Sequence, residues 1–174
     1  YPTDTVYALG CDIYNAKAVA KICLIKGINP KQANFSFICQ DLSHISNFTK
    51  NVGTNTYKLM RRTLPGPYTY ILNANNKVPK IFQSNKKTVG IRVPDNNIAL
   101  EIVRKLGNPI MSTSIHDTDE ILAYPTDAEL IYQRFKGTVE ITINGGYGSN
   151  EVSTVIDCTT DEPEIIREGK GTIE

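Results

Sequence analysis

The chain has 174 residues, 40% of them hydrophobic, which is enough for one domain to bury a core of its own. Nineteen Lys and Arg against 18 Asp and Glu leave a formal charge of +1. No global charge therefore marks a nucleic-acid binder, and any site for a polyanion has to be a local one. There is no long apolar run, no signal-peptide pattern and no Cys-x-x-Cys pair among Cys11, Cys23, Cys39 and Cys158. These features exclude a helical membrane span and a zinc site of common spacing, and they lead to the expectation of a cytoplasmic protein with reduced thiols.

The first ten residues, Tyr1-Pro2-Thr3-Asp4-Thr5-Val6-Tyr7-Ala8-Leu9-Gly10, put two hydroxyls around a carboxylate and follow them with an apolar run. They read as a strand end turning into a buried loop, suited to holding a small polar ligand against an apolar wall. The abrupt start at Tyr1 suggests a single domain over 1–174 that lacks an N-terminal helix and strand.

In chain order, Asn15 is expected to cap a helix over 16–25 with an apolar stripe of Ala16, Val19, Ala20 and Cys23, stopped by Gly27. Lys26 falls at its end. A strand over Phe35–Cys39, a short helix from Asp41 and a helix over 55–62 follow, and Leu64-Pro65-Gly66-Pro67 then breaks the chain. Tyr68–Leu72 is expected as a strand, 73–87 as a polar basic loop anchored at Ile81-Phe82, and Thr88–Pro94 as a strand that carries an arginine, Arg92, in need of a partner if buried. Asn97 is expected to cap a helix to Leu106, with Ile98, Ile102, Val103 and Leu106 on one face. The strand over Pro109–Ser114 then ends in three hydroxyls. His116–Glu120 reads as an acidic turn and Thr126–Glu129 as a capping box for a helix to Phe135. Thr138–Ile143, Ser153–Asp157 and Glu164–Arg167 read as short strands, the first of them leading into an Asn144-Gly145-Gly146 turn. Helices and strands alternate until strands dominate the end, which gives an α/β (α+β) class with a mixed sheet.

No phosphate-binding loop of known type, dinucleotide fingerprint or nucleophile elbow is present, and His44 and His116 offer little for histidine catalysis. What remains is a set of hydroxyls and cations at strand ends: Thr3, Thr5, Lys26, Thr88, Arg92, Ser112, Ser114, Ser153 and Arg167. Such a set can hold a nucleoside triphosphate and an amino-acid carboxylate without a protein nucleophile. That suits adenylation, in which the substrate's own oxygen attacks the α-phosphate while the protein aligns the partners and offsets charge.

The opening Pro-Thr-Asp-Thr-Val-Tyr-Ala-Leu-Gly resembles the Pro-Thr-Glu-Thr-Val-Tyr-Gly-Leu-Gly signature of the threonylcarbamoyl-adenylate synthase family, the YrdC/YciO group. Further segments agree in order: Pro65–Thr69 with Pro-Gly-Pro-x-Thr, Thr88–Pro94 with Val-x-Val-Arg-x-Pro, Ser112–Ser114 with the Ser-x-Asn region, Ser153–Asp157 with Ser-Thr-Val-Val-Asp and Ile166–Gly169 with Leu-Arg-x-Gly. The resemblance implies a twisted open mixed sheet with flanking helices, like dihydroxybutanone-phosphate synthase. It also implies formation of threonylcarbamoyl-AMP and pyrophosphate from L-threonine, bicarbonate and ATP, with Mg²⁺, for modification of tRNA adenosine. Residue by residue it places Thr5, Arg92, Ser112 and Ser153 on L-threonine, with Arg92 clamping the carboxylate in two places, and Lys26, Thr88, Ser114 and Arg167 on ATP. It implies no catalytic nucleophile and no metal ligand from the protein.

The chain departs from the pattern in three places. Lys-x-Arg-Pro is here Lys26-Gly27-Ile28-Asn29-Pro30, so the arginine is missing and Asn29 or Lys31 would compensate only in part. Losing a bidentate phosphate contact costs on the order of 2 kcal/mol. The asparagine of Ser-x-Asn corresponds to His116, and the histidine of the strand after Lys-x-Arg to Ile38. These departures resemble the YciO branch most and imply a weakened synthase or another duty. The alternative duty is binding of double-stranded RNA, tRNA or ribosomal RNA through Arg61, Arg62, Lys77, Lys80, Lys86 and Lys87, which steep salt dependence would reveal.

Overall fold

The computed structural model describes residues 1–29, 33–82, 87–115 and 126–173. The acidic turn at His116–Glu120, Lys31 and Lys86 lie outside the described residues. In order, the elements are β1 (Ala8–Asp12), α1 (Ala16–Lys26), β2 (Ser36–Ile38), α2 (Leu42–Ser46), α3 (Thr54–Thr63), β3 (Tyr68–Asn73), a 3-10 turn (Lys80–Phe82), β4 (Thr88–Arg92), α4 (Asn97–Leu106), β5 (Ile110–Ser114), α5 (Ala128–Phe135), β6 (Thr154–Asp157) and β7 (Glu164–Arg167). The seven strands make one open sheet in the order β1-β5-β2-β4-β3-β6-β7. β2 with β4 and β3 with β6 are parallel and the other pairs are antiparallel, so the sheet is mixed, as expected from the sequence.

The period of two along each strand divides the sheet into unlike faces. One face carries Phe37, Tyr70, Leu72, Val89, Ile91, Met111 and Ile156, and α1 lays Val19, Ile22 and Cys23 on the same core. The α1 stripe thus uses Ile22 where the sequence suggested Ala16 and Ala20, both of which face solvent. Asn15 caps α1 by accepting from Ala18 N at 3.1 Å, and Gly27 ends it with φ of +63°, a conformation glycine adopts without strain.

Among the described residues the other face is covered at one end, where Val103 of α4 packs on Ile38 and Ile110. Ala99 and Val103 are its buried residues, while Leu106 is exposed. The cap of α4 is Asn96, which accepts from Ala99 N at 3.1 Å, one residue before the expected Asn97. Asn96→Ala is therefore expected to destabilise the protein by about 1 kcal/mol in urea unfolding, and Asn97→Ala by much less. Asp127 likewise caps α5 in place of Thr126, accepting from Glu129 N at 2.9 Å.

Two further expectations change. The opening loop precedes its strand instead of following one: Thr3 Oγ1 accepts from Thr5 N at 3.1 Å and donates to Val6 O at 2.7 Å, folding 3–6 into a turn before β1. Thr138–Ile143 pairs with no strand among the described residues and is only partly buried, with Glu140 and Ile141 exposed, although the glycine turn after it is present. Tyr7 Oη pins that turn, donating to Gly146 O at 2.7 Å and accepting from Gly145 N at 3.0 Å.

Candidate functional site

The uncovered part of the second face is the floor of a cavity of about 1240 Å³. Its floor can be read off the register in three cross-strand rows. Arg92 sits opposite Ile38; one strand further, Thr69 pairs with Val155, which pairs with Arg167. Two residues along, Gly10, Ser112, Ser36, Gly90, Ile71 and Asp157 form the next row. Two further on come Ala8 with Ser114 and Thr88 with Asn73. The first and third rows are separated by about 13 Å at the rise of a strand. Cations thus occupy one end and uncharged groups the other.

Of the eight residues singled out from the sequence, Thr5, Thr88, Arg92, Ser112, Ser114, Ser153 and Arg167 line this one cavity. Lys26 does not. It ends α1, whose buried side chains belong to the core on the far face of the sheet, and it is not among the lining residues. Sequence reading passed over Asn34, Ser36, Asn73, Asp157 and Phe82 as lining residues. The signal for Ser36, Asn73 and Asp157 was strand alternation, since Ser36 pairs with Gly90, Asn73 with Thr88, and Asp157 joins the row of Gly90 through Ile71.

Arg92 is the most constrained cation. It is 7% exposed, and its Nη2 donates to Asp4 Oδ1 at 2.8 Å and to Thr5 Oγ1 at 3.0 Å. Asp4 Oδ2 accepts from Asp95 N at 3.0 Å, and its carbonyl from Lys170 Nζ at 2.7 Å, so the opening loop is tied to β4 and to the C-terminal segment. Burial pulls the Arg92 pKa below the usual guanidinium value, and the charge of Asp4 opposes that pull. Guanidinium stays charged even so. Nη2 has two hydrogens and both are engaged, while each bidentate edge of a guanidinium needs one of them. The two-place clamp suggested by the sequence is therefore not open, and Nε, buried with no partner among the described residues, is a donor that remains.

Around this pair the hydroxyls form short chains. Tyr1 Oη, its pKa pushed up to about 12 by burial, stays protonated and donates to Ser112 Oγ at 2.5 Å. Ser153 Oγ and Thr69 Oγ1 are 2.8 Å apart, and Arg167 donates through Nη2 to Ser153 O at 2.8 Å and to its Oγ at 3.2 Å. Burial and then the like charge of Arg92 lower the Arg167 pKa. Two guanidiniums that repel one another across one row make that end favourable for an anion.

Asp157 is the carboxylate among the described lining residues, and one of its oxygens accepts from Thr159 N at 2.9 Å. No group of three His, Cys, Asp or Glu side chains that could hold a metal occurs among the described residues. The four cysteines are free, and burial raises the Cys158 thiol to about 11 and Cys11 to about 12, so they are not poised as nucleophiles. No described helix is long and apolar enough to cross a membrane. Of the basic residues weighed for RNA, Arg61 and Arg62 lie at the end of α3, and Lys77, Lys80 and Lys87 are exposed.

Comparison with known proteins accounts for this arrangement. The Sua5/YciO/YrdC family model, described as "Telomere recombination", matches residues 1–169. An uncharacterised protein of Haemophilus influenzae is 40% identical over 99% of this chain and 83% of its own length. The crystal structure of Escherichia coli YciO superposes with a TM-score of 0.89 at 39% identity, covering 99% of this chain and 82% of that one. Sua5 of Pyrococcus abyssi, solved as a complex with L-threonine, superposes with a TM-score of 0.86 at 30% identity over 97% of this chain and 49% of its own. Curated relatives of the Sua5 type are named threonylcarbamoyl-AMP synthases. The sheet order, the hydroxyl-lined cavity and the matched motifs thus have one explanation: this chain belongs to the Sua5/YciO/YrdC family.

Proposed function

We propose that the cavity binds L-threonine beside ATP and that the protein forms threonylcarbamoyl-AMP, for transfer to tRNA adenosine. The observation that carries this reading is the convergence of Thr5, Arg92, Ser112, Ser153, Thr88, Ser114 and Arg167 on one sheet face from separate strands and loops. In this reading the amino-acid carboxylate lies against Arg92 and the hydroxyls of Thr5, Ser112 and Ser153. Arg167, Thr88 and Ser114 serve the nucleotide.

The chemistry asks little of the protein as acid or base. Bicarbonate and the threonine amine condense to a carbamate with loss of water. A carbamate oxygen then attacks the α-phosphorus as the bond to the bridging β-phosphate oxygen breaks, releasing pyrophosphate. The cavity's contribution is alignment and cationic compensation of the leaving group. Mg²⁺ fits as an ion held chiefly by the triphosphate, with Asp157 the lining carboxylate in reach of that role, in keeping with the preference of Mg²⁺ for phosphate oxygens and water.

The test is pyrophosphate release from ATP in bicarbonate buffer, with and without L-threonine, alongside calorimetry with each ligand alone and together. Threonine-dependent release supports the reading. Folded protein at high concentration that binds neither ligand, and binds duplex RNA with affinity falling steeply as salt rises, overturns it in favour of an RNA-binding role.

A further inference from the structure

The uncharged end of the cavity holds a residue with a one-way preference. Asn73 ends β3 directly opposite Thr88 and lines the cavity. Its Nδ2 donates to Thr159 O at 2.9 Å. A backbone carbonyl can only accept, so this bond settles which way the side-chain amide points. Turning it over would set oxygen against oxygen. Oδ1 is thereby kept as an acceptor, with no partner among the described residues.

The surroundings indicate what would donate to it. Arg167 lies in the row about 13 Å away along the strands, so phosphate is favoured toward that end, beside the amino-acid place at Arg92. Phe35 and Phe82 border the cavity from the core side, where Phe82 meets Phe35 edge to face at a centroid distance of 6.2 Å and Phe37 at 5.1 Å. Gly90 lies between the two ends, with Phe35 O and Ser36 Oγ each 3.2 Å from the place its Cβ would take, so the floor there is bare backbone. A cation, a floor of bare backbone and the Asn73 amide thus succeed one another over roughly the length of an extended nucleoside triphosphate.

We propose that Asn73 selects the nucleobase: its Oδ1 accepts a hydrogen bond from the exocyclic amine of adenine, and meets the keto oxygen that guanine carries at the same position. The inference rests on the reading of the cavity as an ATP site and adds the determinant of base choice, which none of the sequence motifs contains. A pocket acceptor satisfied by the right base and opposed by the wrong one discriminates by roughly ten- to a hundredfold.

The experiment is equilibrium binding of ATP, GTP and 2′-deoxy-ATP, each with Mg²⁺, to the purified chain and to Asn73→Ala and Asn73→Val, the second chosen because valine is a good strand former. The wild type is expected to prefer ATP over GTP by tenfold or more and to bind 2′-deoxy-ATP nearly as well as ATP. Either variant should lose about tenfold for ATP, with GTP changed less than twofold, so that the preference collapses. Equal weakening toward ATP and GTP would give Asn73 a structural role only. A wild type that discriminates against 2′-deoxy-ATP, with the ATP to GTP ratio unmoved in both variants, would assign Oδ1 to the ribose. Either result overturns the proposal while leaving the ATP site standing. A wild type that binds no nucleotide overturns the ATP site itself.

Discussion

Arg92→Ala is expected to weaken L-threonine binding roughly ten- to a hundredfold and at the same time lower stability by about 3–5 kcal/mol, because truncation leaves Asp4 charged, buried and without its counter-ion. The weaker binding follows from the loss of a charge-assisted contact, about 1.5–3 kcal/mol. Asp4→Ala separates the two effects. It too breaks the 2.8 Å pair, but it leaves the guanidinium in place and frees the Nη2 hydrogen that Asp4 held, the other staying on Thr5 Oγ1. L-Threonine should therefore protect the Asp4→Ala protein against urea and protect Arg92→Ala much less, by the linkage between binding and unfolding. The double variant should be less destabilised than the sum of the two, since neither charge is then stranded. Additive destabilisation, or threonine binding undiminished in Arg92→Ala, would remove Arg92 from the site.

That pair also marks what sequence could and could not disclose. An arginine in the run Thr88–Pro94 demanded a partner, and Asp4 stood in a loop already suspected of holding a polar ligand, yet no local pattern joins residues 88 positions apart. Thr88, Arg92, Ser112 and Ser114 were legible because strand alternation puts residues two apart on one face, and that rule is local. Lys26 is not among the lining residues, and the same locality explains why the sequence offered it. Its motif is local, while the helix it ends packs on the opposite face. Thr138–Ile143 alternates like a strand, but alternation reports only a half-buried preference, and a strand exists only where a neighbour offers unpaired backbone. The cap at Asn96 and the stripe through Ile22 were missed by a residue or two, since two adjacent asparagines and a run of small apolar residues fit the helical period almost equally well.

Gly90 yields the second large effect, and it acts through space that must stay empty. It lies in the middle row of the floor, paired with Ser36 on one side and Ile71 on the other, two residues from Arg92 and two from Thr88. A Cβ there meets Phe35 O and Ser36 Oγ at 3.2 Å, tight but tolerable with a shift of a few tenths of an ångström. Gly90→Ala is accordingly expected to fold with a stability within about 1 kcal/mol of the wild type, helped by the lower entropy of its unfolded chain. Gly90→Val projects two methyl groups into the cavity at the point where an amino acid at the Arg92 end and a nucleotide at the Thr88 end must approach one another. It should retain a cooperative unfolding transition, because valine suits a central strand. It should nevertheless release pyrophosphate at least a hundredfold more slowly, since a misplacement of about 1 Å between reacting groups costs that much. Steady-state kinetics beside calorimetry distinguishes the two possible origins. Separate binding of each ligand with lost turnover locates the reacting atoms above Gly90, whereas undiminished turnover in Gly90→Val would mean that the two substrates do not meet on this floor.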